Sequence, residues 1–340
     1  MSRSDESTAM SSISKSSEGP SGVPLVTIGM PVYNGSPYLE QAVRSLLNQT
    51  EEDFVILVSD NCSADETPEI CTRLAAEDPR IKYVRQVSNI GPARNFVYLL
   101  RSAESPFFMW AAHDDLRAPT FLETCLQLLD QAPQAVGCSV GVHIVDEVGA
   151  EVERILPAPG LASPDLQARA RAVFKNGQMA IYGLMRRELI PASADLRDIR
   201  GGDIAFVFSL AMSRPIVTTS EILITYRLVN GEAKTAGPHA ELYDGTRHPV
   251  EMYRWMKREV EQADLGWETE ARLRLFLVAR RFMSVRQAAS YRNRVRLHHA
   301  RAERRWGIVA LRLPLEFVIG PGNVLALIRR KIAAAVGGPP

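Results

Sequence analysis

Cysteine is scarce in this sequence of 340 residues, and the four that occur lie far apart. Cys62, Cys71, Cys125 and Cys138 form no CxxC pair and no cluster with histidine, which is the spacing that a structural zinc site needs. We therefore expect no zinc site. We interpret the four residues as reduced thiols of a cytoplasmic protein. A protein attached peripherally to the inner face of the membrane would also keep its thiols reduced.

Long apolar runs and a strong net charge are also missing. The formal net charge is +1, so no field over the whole chain indicates nucleic acid as a partner. Residues 1–22 are rich in serine, and we expect a disordered tail there rather than a signal peptide or a membrane span. The apolar stretch 311–336 is interrupted by proline, glycine and charged residues, so it does not predict a membrane span.

Strand and helix patterns alternate in the first part of the chain. Short apolar runs rich in β-branched residues predict strands, and segments with apolar residues at helical spacing follow them. The predicted strands are 25–30, 54–59, 81–84, 106–111 and 135–145. The alternation predicts an α/β fold with a doubly wound, mainly parallel sheet that is flanked by helices.

The pattern changes twice after this point. Prolines between 157 and 164 predict an irregular connection, followed by strands at 179–185 and 221–227 with a helix at 203–212 between them. We place the main domain at 23–240, divided into parts 23–116 and 117–240. Residues 241–340 are predicted to form a basic, helical C-terminal extension, whose excess of arginine indicates either a solvated helix face or a patch for an anionic surface.

Polar side chains follow the predicted strands. Asn34, Asp60, Asn89 and Asp114 each come directly after a strand or in the loop that leaves it. Because ligands of such sheets bind at the carboxyl ends of the strands, we expect these residues to lie on one rim.

Two charged features near this rim are candidates for chemistry. Asp114 and Asp115 are adjacent carboxylates that repel each other unless solvent or a cation neutralises them. A divalent cation that bridges diphosphate oxygens is one explanation, and a helix start that favours negative charge is the other. Arg94 lies in the first turn of a predicted helix, where the dipole disfavours a cation, so it favours an anion such as phosphate; a plain surface arginine is the alternative.

Further charged residues are candidates for ligand contact, and the aspartates among them can also be helix caps. Asp60 fits contact with a ligand better than capping, whereas Asp65 fits the N-cap of the next helix. Asp203 follows two glycines and can be an N-cap or a general base for an incoming hydroxyl; the residues alone do not choose between them. Arg227 ends a predicted strand, and its guanidinium matches the geometry of a phosphate.

Taken together, these motifs resemble the family 2 glycosyltransferases of the GT-A fold. The matching stretches are 26–34 (VTIGMPVYN), Tyr38-Leu39 with 45–50, 54–65 (FVILVSDNCSAD), 89–95 (NIGPARN) and 113–115 (HDD), in the family's order. The resemblance continues more weakly from 181–183 to 226–227, and it covers neither the first 22 residues nor the last hundred.

The resemblance implies an inverting transfer of a sugar from a UDP-, GDP- or dTDP-linked donor to a glycan or lipid-linked hydroxyl acceptor, with Mg²⁺ or Mn²⁺ as cofactor. It implies a role in the biosynthesis of cell-surface or extracellular glycan, with 23–116 as the nucleotide-binding half and 117–240 as the acceptor half. The residues it implies are Pro31, Val32, Tyr33 and Asn34 around the nucleoside, Asp60 at the base, Asn89 and Arg94 near the nucleotide or its phosphates, Asp114 on the metal, Asp115 near the sugar, Asp203 as general base and Arg227 at the leaving diphosphate.

Two positions depart from the family's pattern. Ala112 stands where the metal motif usually has its first acid, and Gly202 stands where an acid usually precedes the base. Ala112 therefore motivates an alternative, a catalytically silent protein that binds nucleotide sugars. A nucleotidyltransferase is a further alternative, but it needs a basic phosphate loop and 31–36 contains no lysine or arginine. We expect the basic C-terminal helices to contact a membrane or a partner, with a homo-oligomer also possible, and no nucleic acid to bind.

Overall fold

The computed structural model describes residues 22–194, 196, 201–228, 248–263 and 265–278. The predicted tail, apart from residue 22, lies outside the described residues, as does most of the predicted C-terminal extension. In that extension the structure describes one helix at His248–Gln262 and another over 267–278. Among the described residues, no helix combines the length and the apolar character that a membrane crossing requires.

Strands and helices alternate through the described chain. The strands are β1 Val26–Val32, β2 Phe54–Asp60, β3 Ile81–Arg85, β4 Phe107–Trp110, β5 Leu116–Arg117, β6 Gly137–Val145, β7 Glu151–Ile155, β8 Met185–Arg186 and β9 Ile216–Arg227. The helices are α1 Leu39–Leu47, α2 Thr67–Glu77, α3 Pro92–Arg101, α4 Phe121–Asp130, α5 Leu166–Val173, α6 Gly202–Ser213 and α7 His248–Gln262. Short 3₁₀ helices lie at Pro159–Ala162, Gly177–Tyr182 and Arg187–Leu189.

One mixed sheet joins the strands in the order β3-β2-β1-β4-β8-β6-β9-β5. Strand β7 pairs with the last residues of β6, on the side away from β9. The four strands β3, β2, β1 and β4 are parallel, and so are β6 and β9. The short strand β8 runs antiparallel to both β4 and β6, and it joins these two parallel parts. The carboxyl ends of β1, β2 and β3 therefore lie at the same edge of the sheet, as the sequence predicts.

The sheet is covered by helices on both faces. Phe108 and Trp110 of β4 pack into a core with α3, α5, α6 and α7, while Met109 of the same strand packs into a second core with α1, α2 and α4. Burial on both faces explains why β4 is a continuous apolar run rather than an alternating one. The predicted doubly wound α/β architecture is confirmed.

Two segments differ from the sequence prediction. The predicted strand 179–185 is instead the 3₁₀ helix Gly177–Tyr182 followed by the two-residue strand β8. A Cβ on Gly183 would lie 1.8 Å from the carbonyl oxygen of Cys138, so only glycine fits where the chain passes β6 between this 3₁₀ helix and β8. The connection predicted as irregular from the prolines at 157–164 contains the 3₁₀ helix Pro159–Ala162. The sequence analysis did not predict β7 before it or α5 after it, and Asp165 caps α5 by accepting hydrogen bonds from the Gln167 and Ala168 amides.

Helices α6 and α7 run side by side in the same direction. The Met252 side chain, near the start of α7, lies against Gly201 at the start of α6, while the Glu259 carboxylate accepts a hydrogen bond from the Ser209 hydroxyl farther along. Trp255, Met256 and Val260 of α7 are buried in the same core as α6. The start of α6, which carries Asp203, is thereby held by the first turns of α7.

Candidate active site

The loops after β1 and β2 are joined by hydrogen bonds. The Asn34 backbone lies in the left-handed region at φ 50°, and its side-chain oxygen accepts a hydrogen bond from the Ala64 amide at 2.9 Å. The Asn34 amide in turn donates to the Ser63 hydroxyl at 2.9 Å. Asp65 accepts from the amides of Ser36 and Thr67, so it caps α2 from one residue before the N-cap position.

Asp60, at the end of β2, is fully buried. One of its carboxylate oxygens accepts a hydrogen bond from the Ser63 amide at 2.8 Å, and the other accepts one from the Tyr83 hydroxyl at 3.0 Å. The Arg85 guanidinium lies 3.5 Å from the second oxygen. Asp60 thus fixes the loop that carries Ser63, and because its side chain is fully buried, contact with a nucleoside base would require this loop to move.

Asn61 is a buried residue that the sequence interpretation missed. Its amide nitrogen donates to the Asn89 side-chain oxygen at 2.9 Å, and its own oxygen accepts from the Ile90 amide at 2.8 Å. The loops after β2 and β3 are therefore held together by a pair of asparagines. We call Asn34, Asn61 and Asn89 the amide rim, because each uses its side-chain oxygen to hold the backbone of a loop at this edge.

The remaining predicted donor residues differ in exposure. Pro31 and Val32 are buried at the end of β1, Tyr33 is half-buried and Arg94 is exposed in the first turn of α3. Within the described part of the chain, no hydrogen bond or ion pair engages the Arg94 guanidinium. Its neighbour Asn95 is buried and exchanges two hydrogen bonds with Ser59, which ties α3 to β2.

The loop after β4 carries Asp114 and Asp115, and both are buried. Strand β5 follows directly and pairs with β9, Leu116 lying opposite Thr225. This pairing brings the Arg227 amide within 3.1 Å of an Asp115 carboxylate oxygen, to which it donates. Gly35, which follows Asn34 of the amide rim, packs against the same loop, since a Cβ on Gly35 would lie 2.6 Å from the His113 ring.

Arg117 is a second residue that the sequence interpretation missed. It is buried, with its guanidinium donating to the carbonyl oxygens of Trp110 and Leu116 at 3.4 Å each and lying over the Phe121 and Tyr182 rings. Burial lowers the pKa of Arg117, and the negative charge of Asp115 raises it again. The charges of Arg117 and Asp115 therefore act on each other within the site.

Tyr182 marks where the acidic residues meet. Burial raises its pKa well above the ordinary value, and the charges of Asp115, Tyr226, Asp203 and Asp114 raise it further, in that order. The Tyr182 and Tyr226 rings are 6.4 Å apart. We call Asp114, Asp115 and Asp203 the acid cluster, since all three act on this one phenol although they are up to 89 residues apart in the chain.

Asp203 is the second residue of α6, and the N-cap position is held by Gly201 at φ 82°. The N-cap interpretation of Asp203 is therefore wrong. The side chain keeps an exposed surface, yet desolvation raises its pKa while the amides of Ile204 and of Asp203 itself lower it. An exposed carboxylate whose pKa is raised is suited to accept a proton from a bound hydroxyl.

Arg227 lies between the two halves of the domain. Its guanidinium donates to the Gln41 side chain at 3.1 Å and to the Glu147 carbonyl at 3.4 Å, and it lies 4.8 Å from the centre of the Tyr38 ring. Among the described residues, its buried Nε has no hydrogen-bond partner. This nitrogen is a donor that remains available at the site.

The described residues contain no group of three or more side chains that could hold a metal ion alone. The acid cluster does offer carboxylate oxygens, which Mg²⁺ and Mn²⁺ favour. The residues therefore fit such an ion if phosphate oxygens of a bound diphosphate and water complete its coordination.

The first half of the chain is similar in sequence to known glycosyltransferases. Residues 27–187 match the sequence model of glycosyl transferase family 2. An uncharacterized glycosyltransferase of Rickettsia typhi is 33% identical over 127 residues, which cover 36% of this chain and 38% of that protein. Chondroitin synthase of Escherichia coli is 35% identical over 105 residues, which cover 31% of this chain and 15% of that protein. The chain thus spans well under two thirds of the length of these relatives.

Solved structures extend the likeness beyond the matched segment. Residues 1–349 of S. aureus TarS in complex with UDP-GlcNAc have a TM-score of 0.61 at 18% identity, covering 76% of this chain and 72% of that one. The mannosyltransferase PcManGT of Pyrobaculum calidifontis, in complex with GDP-Man and Mn²⁺, has a TM-score of 0.50 at 18% identity, covering 91% of this chain and 82% of that one. At this identity the likeness concerns the fold, and the GT-A fold predicted from the sequence is confirmed.

Proposed function

Because residues 27–187 belong to glycosyl transferase family 2, we propose that the chain transfers a sugar from a nucleotide-diphosphate donor to a hydroxyl acceptor, with inversion at the anomeric carbon. The observation that carries this proposal is the acid cluster. The charges of Asp114 and Asp115, after β4, and of Asp203, at the start of α6, all act on the half-buried Tyr182. The site thus has two aspartates that can serve the donor, Asp114 and Asp115, and an exposed one that can serve the acceptor, Asp203.

Asp203 is the proposed general base. Its carboxylate takes the proton from the acceptor hydroxyl as that oxygen bonds to the anomeric carbon. The bond between this carbon and the diphosphate oxygen breaks, and the nucleoside diphosphate leaves with the electron pair. Attack from the side opposite the leaving group inverts the configuration, and no covalent intermediate with the protein forms.

Arg227 is proposed to stabilise the negative charge of the departing diphosphate, and Arg117 is proposed to neutralise part of the negative charge of the site. Guanidinium groups match phosphate oxygens, and the available Nε of Arg227 lies in the same residue whose amide is bonded to Asp115. The buried charge of Arg117 partly neutralises Asp115 before any ligand binds.

A divalent ion is proposed to join the site with the donor. Asp114 would hold Mg²⁺ or Mn²⁺ together with diphosphate oxygens, and the ion would neutralise charge on the leaving group. Ala112, at the position of the family's usual partner acid, leaves Asp114 as the carboxylate of this motif that binds the ion. Metal affinity is then expected to depend on the nucleotide.

The donor is proposed to be UDP-, GDP- or dTDP-linked. The amide rim with Pro31, Val32 and Tyr33 would hold the nucleoside, with Asp60 at the base and Arg94 near the phosphates. The structural neighbours TarS and PcManGT bind UDP-GlcNAc and GDP-Man, which supports a nucleotide-sugar donor without choosing between them. The acceptor is proposed to be a glycan or a lipid-linked glycan, in the biosynthesis of cell-surface or extracellular glycan.

We further propose a cytoplasmic location with peripheral contact to the inner face of the membrane. The support is the basic sequence between Arg254 and Arg305, where lysine and arginine outnumber aspartate and glutamate by more than two to one. A homo-oligomer is compatible with this arrangement, and its test is the mass of the purified chain in solution.

The experiment that tests the proposed function is a screen of nucleotide sugars with and without Mn²⁺. A true donor should raise the melting temperature, and more so with the metal, since only the folded state binds it. With an acceptor mixture, the same donor should release its nucleoside diphosphate.

A catalytically silent binder is the second candidate, favoured by Ala112 at the metal motif. It predicts the melting shift without any release of nucleoside diphosphate from any donor and acceptor pool. Equal shifts after chelation would remove the metal from the mechanism, and no shift with any nucleotide sugar would contradict both candidates.

A further inference from the structure

A cleft lies at the edge of the sheet opposite the acid cluster. It has a volume of roughly 540 Å³, and its walls come from α3, α7 and residues 187–194 and 196, which we call segment 187–196 for its described residues. Ser105 and Glu104, which precede β4, bond to Arg187 of this cleft, whereas Asp114 follows β4. The four residues of β4 span about 13 Å, so the cleft and the acid cluster are separate places.

Three arginines line the cleft: Arg101, Arg187 and Arg258. Arg187 is held in place because its Nε donates to the Ser105 carbonyl at 2.7 Å and one terminal nitrogen donates to the Glu104 carbonyl at 2.8 Å. Arg101 and Arg258 are exposed, and within the described chain no hydrogen bond or ion pair engages either guanidinium. We call this place the arginine cleft.

The described lining of the arginine cleft contains one carboxylate, Glu259. It accepts hydrogen bonds from the hydroxyls of Ser193 at 2.8 Å and Ser209 at 3.1 Å, so it is used to join α7 to α6 and to segment 187–196. Three guanidinium groups thus line the described part of the cleft with one carboxylate, which is already hydrogen-bonded to Ser193 and Ser209. The cleft has the charge of an anion site.

The rest of the lining is largely apolar, with Leu100, Ile190 and Trp255 among its residues. The exposed apolar residues nearby in sequence lie on the 267–278 helix: Trp267 is 81% exposed, and Leu275 and Val278 share its side of the helix at helical spacing. This helix is tied to the end of α7 by an ion pair between Arg274 and Glu261 at 3.2 Å. Cationic and apolar groups thus occur together at this end of α7, as on surfaces that contact lipid.

We propose that the arginine cleft binds the phosphate head group of an anionic membrane lipid. Arg101, Arg187 and Arg258 hold the phosphate oxygens through charge-assisted hydrogen bonds, and the upper part of the lipid lies against the apolar lining. Trp267 enters the interfacial layer, where tryptophan is favoured. A free phosphate ion would use only the arginines and would leave the apolar lining in water.

This inference goes beyond the proposed sugar transfer and does not rest on it. The arginine cleft shares no residue with the acid cluster or the amide rim. Donor-induced melting shifts and release of nucleoside diphosphate report on sugar transfer alone, so a failure of one proposal leaves the other measurable.

Vesicle flotation of the full chain tests the inference. The probes are vesicles of phosphatidylcholine alone and of phosphatidylcholine mixed with phosphatidylglycerol. The test variant is Arg101→Gln with Arg258→Gln, and the matched control is Lys82→Gln with Arg171→Gln, which removes two exposed cations that do not line the cleft. Arg187 is left unchanged because its bonds to Ser105 and Glu104 support the fold.

The expected result is binding to the mixed vesicles that weakens roughly tenfold in the test variant, since each removed cation near an anionic surface weakens binding several-fold. The control variant should bind within about twofold of wild type, and Trp267→Ser should weaken binding independently. Unchanged donor-induced melting shifts verify that the test variant is folded.

Three results would overturn the inference. Wild type could fail to float with the mixed vesicles, or test and control variants could lose binding equally, which would indicate a diffuse charge effect. The third is a melting shift by inorganic phosphate that matches the shift by phosphatidylglycerol vesicles and is lost in the test variant, which would assign the cleft to a free phosphate.

Discussion

The amide rim and the acid cluster lie at the same edge of the sheet, but they use their polar groups differently. In the amide rim, Asn34, Asn61 and Asn89 each bond to a loop backbone, and Asn61 also bonds to Asn89, so the loops are fixed before a ligand arrives. In the acid cluster, the charges of three carboxylates act on the half-buried Tyr182, and the charge of Asp115 also acts on the buried Arg117.

This difference separates two tasks. A rim whose side chains already hold one another pre-forms a shape, which lowers the entropy lost when a ligand binds. A cluster of like charges is unfavourable by itself, and it is retained where a cation, a proton or a developing charge interacts with it. We therefore expect changes in the rim to affect donor binding and changes in the cluster to affect turnover.

The largest effect is expected for Asp203→Asn. The amide cannot accept the acceptor's proton, so turnover should fall by about 10²–10⁴-fold while the donor-induced melting shift stays as in wild type. Release of nucleoside diphosphate and thermal shift, measured on the same samples, check this. The control is Asp130→Asn, which changes an exposed carboxylate at the end of α4. If the variant lost donor binding as well, the two tasks would not be separate.

The pH dependence of turnover is the next effect. Desolvation raises the pKa of Asp203 above its ordinary value. A protonated carboxyl cannot act as a base, so kcat/KM should fall about tenfold per pH unit below that raised pKa and level off above it. The same sign means that protonation of Asp203 favours the folded state and that its contribution to stability decreases as the pH rises through the shifted range. A profile whose acid limb lies at or below the ordinary aspartate pKa would argue against Asp203 as the base.

Asp115→Asn should mainly destabilise the fold. The side chain can still accept the hydrogen bond from the Arg227 amide, but the negative charge that acts on the buried Arg117 is lost. Among the described residues no ion pair joins the two side chains directly, so the free energy of unfolding should fall by less than the about 3–5 kcal/mol of a broken buried pair. Urea denaturation, with Asp130→Asn as control, measures it. A loss equal to that of the control would show that Arg117 does not depend on Asp115.

Asn61→Ala should have the smallest of these effects. It removes the hydrogen bond to Asn89 and leaves the Ile90 amide without its acceptor, which costs about 1–3 kcal/mol. Donor affinity should decrease while turnover at saturating donor is retained. Ser88→Ala, in the same loop and exposed, is the matched control for both measurements. A variant that lost turnover at saturation but kept its affinity would reverse the assignment of tasks.

Much of this fold follows from local patterns in the sequence. The strands β1 to β4 lie where short apolar runs predict them, because these signals are contained in a few adjacent residues. The convergence of the loops after β1, β2 and β3 also follows, since parallel strands end on a common edge.

The missed features depend on distant partners. Asn61 acquires its role from Asn89, and Arg117 from Asp115, Trp110 and Tyr182, so no local pattern distinguishes these residues from other polar ones. The strand expected at 179–185 is wrong for a related reason. Its sequence is compatible with a strand, and no local pattern shows that the chain forms a 3₁₀ helix and then passes close to the Cys138 carbonyl of β6 at Gly183.

The anomeric configuration of the transferred sugar tests the central claim most directly. Wild-type protein with a donor from the melting screen and a matching acceptor would be followed by proton NMR from the first turnovers, before the product can mutarotate or react again. Direct attack by a hydroxyl that Asp203 has deprotonated predicts a product whose configuration is opposite to that of the donor. A product that retains the donor's configuration would contradict this account.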